Sequence, residues 1–207
     1  MILLLAALAL GSVPPPSFEE HLGLRAWHRV DALVEAGRYE EAIAEADSFQ
    51  QTVVPTAGLH YLVGLSWRRL HDDQRAETAL LASVALDPDY VAPWYDLGEI
   101  WLVAGRWSDA ERAWKRVSEL VPAGAHCELG PLRLAEVAAH QRDATAFETH
   151  LREALHRGFH FRSIRAEPQW RDFYADPMLR DSVAKMVTVY GDPALLDDLS
   201  RPLSPSR

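Results

Sequence analysis

The fold is decided by residues 91–124, which read VAPWYDLGEIWLVAGRWSDAERAWKRVSELVPAG. Gly98 lies among large apolar residues in this stretch, and Trp101 follows one helical turn later on the same face. The glycine would let a second helix approach closely, while Gly105 suits a tight turn between the two helices. Pro122 cannot continue a helix. The stretch therefore predicts one helix-turn-helix unit.

The same pattern recurs with a period of 34 residues. Eight sets of residues occupy matching positions: Trp27, Tyr61 and Tyr95; Val30, Gly64 and Gly98; Leu33, Trp67 and Trp101; Gly37, His71 and Gly105; Tyr39, Asp73 and Trp107; Ala42, Ala76 and Ala110; Ala46, Leu80 and Trp114; Val54, Pro88 and Pro122. An irregular helical bundle also shows apolar stripes. The coincidence of small, aromatic and proline positions at one fixed spacing favours a repeat array instead.

The unit from Val91 to Gly124 resembles the tetratricopeptide repeat. Its matching residues are Trp94, Leu97, Gly98, Trp101, Ala110, Trp114 and Pro122. The unit from Ala57 to Tyr90 has His60 in place of the leading Trp, and the unit from about Gly23 to Thr56 has Val30 in place of the glycine. The resemblance implies an all-α fold, a right-handed α-solenoid of helix-turn-helix repeats with C-terminal capping helices.

A fourth helix pair is predicted from Glu128 to Arg157, with a turn near Arg142-Asp143. Gly158 would end its second helix, and the following segment resembles the element that closes bacterial tetratricopeptide arrays. There Asp176 would cap a last helix, with Pro177 in its first turn. The predicted organisation is an apolar leader and proline linker at 1–16, a repeat array at 17–157, a capping element at 158–190 and a loose tail at 191–207.

The leader begins MILLLAALAL and ends in three prolines, which indicates a signal peptide, although a positively charged start is missing. The alternatives are a misassigned start codon and an apolar helix packed on the fold. Ten helical residues reach only about 15 Å of the roughly 30 Å hydrocarbon core, so no membrane span is expected in the mature chain. The predicted location is periplasmic or secreted, or cytoplasmic if the start is misassigned.

Charge and cysteine content exclude several classes. Twenty-one Lys and Arg against thirty Asp and Glu give a formal charge of -9, so nucleic acid is not an expected partner. Cys127 is the sole cysteine, which excludes an intrachain disulfide and multi-cysteine metal sites. We interpret it as a buried structural residue.

Catalytic motifs are incomplete. The sequence His126-Cys127-Glu128 lacks the later cysteine pair of zinc deaminases. His156 and His160 have helical spacing, but Gly158 separates them. Residues 64–68 begin like a nucleophile elbow but have arginine in place of the second glycine, in a predicted helix. We expect no cofactor, no metal and no enzymatic activity. A hydrolase or metal enzyme on a helical scaffold is the minor alternative.

Family resemblance implies a binding groove lined by first-helix residues, and the candidates are Trp27, Asp31, Tyr61, Leu65, Arg68, Arg69, Tyr95, Glu99 and Leu102. The aromatic residues have an alternative role in packing one unit on the next. The arginines would either bind a carboxylate of the partner in bidentate fashion or simply be solvent-exposed on the helix surface. The Lys and Asn residues that clamp a C-terminal carboxylate in some family members are absent. We expect a scaffold that binds a protein or peptide; the alternative is a self-assembling subunit of an envelope complex, a homo-oligomer.

Overall fold

The computed structural model describes residues 18–49, 54–161 and 169–200. Regular structure in these ranges is entirely helical, which confirms the all-α prediction. The helices are α1 (Phe18–Glu35), α2 (Tyr39–Phe49), α3 (Ala57–Arg69), α4 (Asp73–Leu86), α5 (Val91–Val103), α6 (Trp107–Leu120), α7 (Leu129–His140), α8 (Ala144–His156), α9 (Gln169–Ala175), α10 (Arg180–Tyr190) and α11 (Ala194–Ser200). None of these helices has the length and apolar character needed to cross a membrane. The predicted leader at 1–16 lies outside the described residues.

Four helix pairs turn in the same way. One residue of each turn has left-handed backbone geometry: Gly37 (φ 72°), His71 (φ 61°), Gly105 (φ 70°) and Arg142 (φ 60°). The next N–H then donates to a carbonyl five residues earlier: Arg38 to Leu33 (2.9 Å), Asp72 to Trp67 (3.0 Å), Arg106 to Trp101 (2.8 Å) and Asp143 to Ala138 (2.9 Å). These bonds satisfy carbonyls that a helix end leaves free. The turns predicted at Gly37, at Gly105 and near Arg142 are confirmed.

Side-chain caps fix where several helices begin. The Asp72 carboxylate accepts from the Arg75 N–H at 3.0 Å, at the start of α4. Asp143 accepts from the Ala146 N–H at 2.9 Å, at the start of α8. Each bond satisfies one of the N–H groups that have no partner in the first helical turn.

The glycines of the repeat allow close helix contact, as predicted. A Cβ atom built on Gly98 of α5 would lie 2.6 Å from Cε2 of Trp114 in α6. One built on Gly64 of α3 would lie 2.7 Å from Cγ of Leu80 in α4. Both distances are shorter than real Cβ contacts, so a larger residue cannot enter unless the side chain of Trp114 or Leu80, or its helix, moves.

The repeated alanine positions lie in the core. Ala42, Ala76 and Ala110 have no exposed surface, and neither do Leu80 and Trp114. Small residues here let each second helix pack on the first helix of its own pair. The buried side chains form successive clusters along the chain, the last of which includes residues of α7 to α11.

Helices α9 to α11 cover the end of this last cluster. Trp170 packs against Phe159 with ring centroids 6.1 Å apart, and against Phe173 with centroids 5.6 Å apart. Phe147 of α8 lies 6.0 Å from Phe173 by the same measure. The aromatic rings join α8 to the segment predicted to close the array, although residues 162–168 of that segment lie outside the described residues.

Two predictions about the C-terminal region are wrong. The Asp176 carboxylate accepts from the Met178 N–H at 2.8 Å, which makes a turn, and α10 begins only at Arg180. A helix, α11, also lies where a loose tail was predicted. Leu195 and Leu199 are four residues apart and only 5% and 6% exposed, so burial of one helical face orders this segment. Residues 201–207 of the predicted tail lie outside the described residues.

Candidate functional site

The first helices of the first three pairs, α1, α3 and α5, lie side by side. Helix α3 contacts both α1 and α5, whereas successive second helices make no contact of comparable extent within the described ranges. Helices α1, α3 and α5 therefore lie nearer to one another than the second helices of the same pairs do. We call their shared surface the first-helix face, defined by Asp31, Tyr61, Leu65, Arg68, Arg69, Tyr95 and Glu99.

Eight of the nine predicted groove residues are exposed or half-buried. Arg69 is exposed, and the other six residues of the first-helix face are half-buried, as is Trp27. Leu102 was predicted wrongly: it is only 8% exposed and belongs to the same buried cluster as Leu134 and Val137 of α7. Packing of the fourth helix pair against the third covers it.

Trp27 serves packing between units. A Cβ atom on Gly58, in the first turn of α3, would lie 3.0 Å from Nε1 of Trp27. The indole ring therefore lies against the α3 backbone, and it packs on the same cluster as Leu59 and Leu62. These contacts support a role for Trp27 in packing one helix pair on the next rather than in binding a partner.

An ion pair joins α3 to α5 at the first-helix face. The Arg68 Nη1 group donates to Oδ1 of Asp96. Asp96 is only 8% exposed, and its Oδ2 has no hydrogen-bond partner among the described residues. Burial raises the pKa of Asp96, although the positive charge of Arg68 opposes that effect. Arg68 is thus oriented by its own chain.

Three tyrosines lie within electrostatic reach of Asp96. Burial is the main cause of a raised pKa at Tyr61, Tyr90 and Tyr95, and the Asp96 charge adds to it in each case. The pKa of Tyr61 rises to about 12. The Tyr61 and Tyr90 rings meet edge to face with centroids 5.2 Å apart. These hydroxyl groups therefore remain protonated near neutral pH, able to donate or accept hydrogen bonds.

A second charged cluster joins α5 to α7. Nε of Arg133 lies 3.0 Å from Oε1 of Glu99, and Nη1 of Arg133 lies 2.7 Å from Oε2 of Glu136. Nε of Arg133 and Oε1 of Glu99 are close but poorly aligned, so neither atom makes a hydrogen bond within the described structure. Burial opposes the charge of Arg133, but the two carboxylates together hold its pKa above the ordinary value.

Sequence reasoning missed Asp96, Tyr90, Arg133 and Glu136. Asp96 offered one signal, a carboxylate among the apolar residues of a repeat's first helix. The other three had no usable signal, since Arg133 and Glu136 belong to the poorly matching fourth unit and Tyr90 precedes its helix.

An apolar pocket of about 390 Å³ opens beside Tyr95. Its walls come from the start of α5, the end of α6, the connection to α7 and the start of α7. The lining residues are Val91, Ala92, Tyr95, Val117, Val121, Ala125, His126 and Leu129. This volume is within the range of ligand pockets, about 300–1,000 Å³.

Arg157 holds one wall of this pocket in place. Its Nη1 group lies 3.1 Å from the carbonyl oxygen of Ser118 and 3.4 Å from those of Val121 and Cys127. In the same connection His126 has a φ of 63°, a conformation that is unfavourable for a residue with a side chain. The hydrogen bonds from Arg157 hold both ends of this connection against α8.

The candidate nucleophiles of the sequence are buried. Cys127 is 8% exposed, and its Sγ lies 3.4 Å from the Arg157 carbonyl oxygen, which confirms the structural interpretation. Ser66 has no exposed surface, and its hydroxyl donates to the Leu62 carbonyl at 2.7 Å inside α3. No cluster of three or more His, Cys, Asp or Glu residues in the described part of the chain is arranged to hold a metal ion.

Comparison with known proteins assigns no family to this geometry. No protein-family model and no curated protein gives a significant match to the chain. Function is therefore inferred from the first-helix face.

Proposed function

We propose that this chain is a non-enzymatic interaction scaffold, a right-handed α-solenoid of tetratricopeptide-like repeats that binds a protein or peptide on its first-helix face. The observation that carries the proposal is the unequal spacing of the helices. Helix α3 contacts both α1 and α5, and second helices do not contact one another to a comparable extent within the described ranges. A stack built in this way curves with its first helices on the concave side, where repeat proteins bind extended partners.

The repeated turn geometry supports a solenoid over an irregular bundle. The four left-handed turn residues place each second helix back along its first helix with the same hydrogen bonds. The glycine contacts at Gly64 and Gly98 then set similar close packing within the second and third pairs. Helix pairs with the same turn geometry, stacked one on the next, are the building plan of a repeat array.

The composition of the first-helix face also favours recognition. Tyrosine and arginine are the residue types most often found at the energetic centres of protein interfaces. Tyr61, Tyr95 and Arg68 are held in place by neighbouring rings and by the Asp96 carboxylate. A surface of pre-positioned side chains loses little conformational entropy when a partner binds.

Affinity capture from a lysate of the source organism tests the proposal, with two charge-reversed variants. Asp31→Lys with Arg69→Glu changes the first-helix face, leaves the ion pair between Arg68 and Asp96 intact and keeps the net charge. The control, Glu40→Lys with Arg152→Glu, makes the same charge changes at exposed positions of second helices and also removes the surface ion pair of Arg152 with Glu148. Circular dichroism and thermal melting confirm that both variants are folded.

We expect a partner that the wild type and the control variant capture and the face variant loses. Capture of the same proteins by all three forms would refute a role for this face. A second copy of this chain as the main captured species, with a mass in sedimentation that rises with concentration, would favour the self-assembling subunit instead.

Export remains a separate prediction from residues 1–16. Recovery of a shortened chain from the periplasmic or secreted fraction, with its new N-terminus identified by mass spectrometry, would support it. Recovery of the full chain from the cytoplasm alone would contradict it.

A further inference from the structure

Two tyrosine rings meet between α3 and α5 at the first-helix face. Tyr61 lies in the second turn of α3, and Tyr90 immediately precedes α5. The two ring planes are inclined at 67°, with centroids 5.2 Å apart. In such an edge-to-face pair, the ring that contributes its edge keeps both of its own faces clear of the other ring. Ring faces carry the negative part of the aromatic charge distribution, so they attract cations.

The protein core holds this tyrosine pair in place, while the polar ends of the pair stay open. Tyr61 packs against the buried cluster that includes Val30 and also against the cluster that includes Trp101. Both tyrosines are half-buried, and neither is one of the buried polar groups that lack a hydrogen-bond partner in the described structure. A pair that is already positioned loses little conformational entropy when a ligand binds.

Asp31 supplies an accessible negative charge beside the pair. Its carboxylate is the strongest of the charges that raise the pKa of Tyr90, so it lies within electrostatic reach of that hydroxyl group. Asp31 is half-buried on α1 and has no ion pair or hydrogen bond among the described residues. Asp96 differs from it, because Asp96 is only 8% exposed and already pairs with Arg68. Asp31 can therefore bind a group from outside the chain.

The charges around Tyr90 favour a cation. Its pKa is raised by burial and by three carboxylates, those of Asp31, Asp96 and Asp87. Arg68 and Arg69 oppose the negative charge at Tyr61. Arg68 is already neutralised by its carboxylate partner, and Arg69 is exposed, where solvent and salt screen its charge. The free negative charge of Asp31 thus has no buried positive charge to cancel it among the groups that act on Tyr90.

We propose that Tyr61, Tyr90 and Asp31 form a cation-binding site on the first-helix face, and that this site receives one Lys or Arg side chain of the bound partner. The ring faces and the carboxylate contact the charged group, and the neutral tyrosine hydroxyls accept hydrogen bonds from it. The formal charge of -9 attracts basic segments to the chain at long range. This inference rests on the proposed scaffold function and specifies its ligand.

A random peptide library displayed on phage and selected on the wild-type protein tests the site. Selected peptides are synthesised, and their affinities are measured by fluorescence polarisation. Each basic residue of a selected peptide is then replaced by an uncharged residue of similar shape, norleucine for Lys and citrulline for Arg. This replacement removes the charge and keeps most of the side chain.

Three variants of the protein separate the charge, the ring and the hydroxyl group. Asp31→Asn removes the carboxylate charge, and its matched control is Asp73→Asn at an exposed position of α4. Tyr90→Leu removes the aromatic ring, whereas Tyr90→Phe keeps the ring and removes only the hydroxyl. Circular dichroism and thermal melting confirm that each variant is folded.

We expect the selected peptides to share a Lys or Arg. Asp31→Asn should weaken binding about tenfold, while Asp73→Asn leaves it unchanged. Tyr90→Leu should weaken binding about three- to tenfold, and Tyr90→Phe should have a smaller effect because the ring face remains. Removal of the peptide's charge should weaken binding to the wild type more than binding to Asp31→Asn, since one of the two charges is already absent there.

Several results would overturn the inference. These are a consensus without a basic residue, equal affinities of the charged and uncharged peptides, wild-type affinity in both Asp31→Asn and Tyr90→Leu, or no enrichment of any peptide. If the selected peptides bind these two variants normally but are lost by the variant with Asp31→Lys and Arg69→Glu, the scaffold function stands and only the cation site fails. If that charge-reversed variant also binds them normally, the first-helix face itself is not the binding surface.

Discussion

Replacing Gly98 with leucine tests the glycine position with the least room for a side chain among the described residues. A Cβ at this position would be 2.6 Å from Cε2 and 2.8 Å from Nε1 of Trp114, which has no exposed surface. The indole would have to move by about 1 Å to reach an ordinary contact of roughly 3.5–4.0 Å. We expect Gly98→Leu to lower the free energy of unfolding by about 1–3 kcal/mol or more.

A double-mutant cycle separates this clash from any general effect of the substitution. Trp114→Ala alone should cost about 3–5 kcal/mol because it leaves a cavity. In the double variant the leucine enters the space that the indole vacated, so the total cost should be at least about 1 kcal/mol less than the sum of the two single costs. Urea denaturation followed by circular dichroism at 222 nm, the standard helical wavelength, measures all three values.

The matched control is Ala85→Leu, which adds a similar side chain to an exposed position of α4. It should change stability by less than about 0.5 kcal/mol. An unchanged free energy of unfolding in Gly98→Leu, or costs that add within about 0.5 kcal/mol in the cycle, would show that Gly98 and Trp114 are not in contact.

Three further predictions follow from backbone geometry, hydrogen bonding and titration. His71→Gly should stabilise the protein by about 0.5–1 kcal/mol, measured by urea denaturation. Glycine removes the strain of the left-handed backbone at a φ of 61°, and this gain exceeds the cost of the added entropy of the unfolded chain. A loss of stability would contradict this. Arg157→Ala should cost about 1–2 kcal/mol and speed hydrogen exchange in residues 121–128, because part-buried carbonyls lose their donor. Unchanged exchange would refute the role assigned to Arg157. Burial lowers the pKa of His60 and of His150, so the unfolded chain binds protons more readily below about pH 6.5, the usual histidine value. The free energy of unfolding should therefore fall as pH decreases from 7.5 to 5.5, roughly the range around the usual histidine pKa, and it should fall less in a variant with His60→Gln and His150→Gln. The same pH dependence of the melting temperature in the wild type and in this variant would contradict the role of the two histidines.

The local features of the fold were predictable because each depends on a few residues near in sequence. Gly37 and Gly105 end helices because a left-handed residue is needed there, and Gly98 marks a close contact because only a hydrogen atom fits. His71 occupies the same backbone position as the glycines, so the 34-residue period located that turn even where the residue type did not.

The candidate site was predictable only in outline. Helical periodicity predicts that Tyr61, Tyr95 and Arg68 share one face, since that prediction depends on spacing alone. It could not show that Arg68 would pair with Asp96, 28 residues away, because the pairing depends on how α3 and α5 pack. Leu102 shows the same limit, since its exposure was decided by residues of α7.

The sequence by itself determined the helices, their turns and the small residues at their contacts, because steric and hydrogen-bonding rules act within one or two helical turns. The tertiary structure alone decided which charges pair, where the pocket beside Tyr95 opens, and that α11 packs through Leu195 and Leu199. These features depend on distances between residues far apart in the chain, and such distances are set only when the helices pack together.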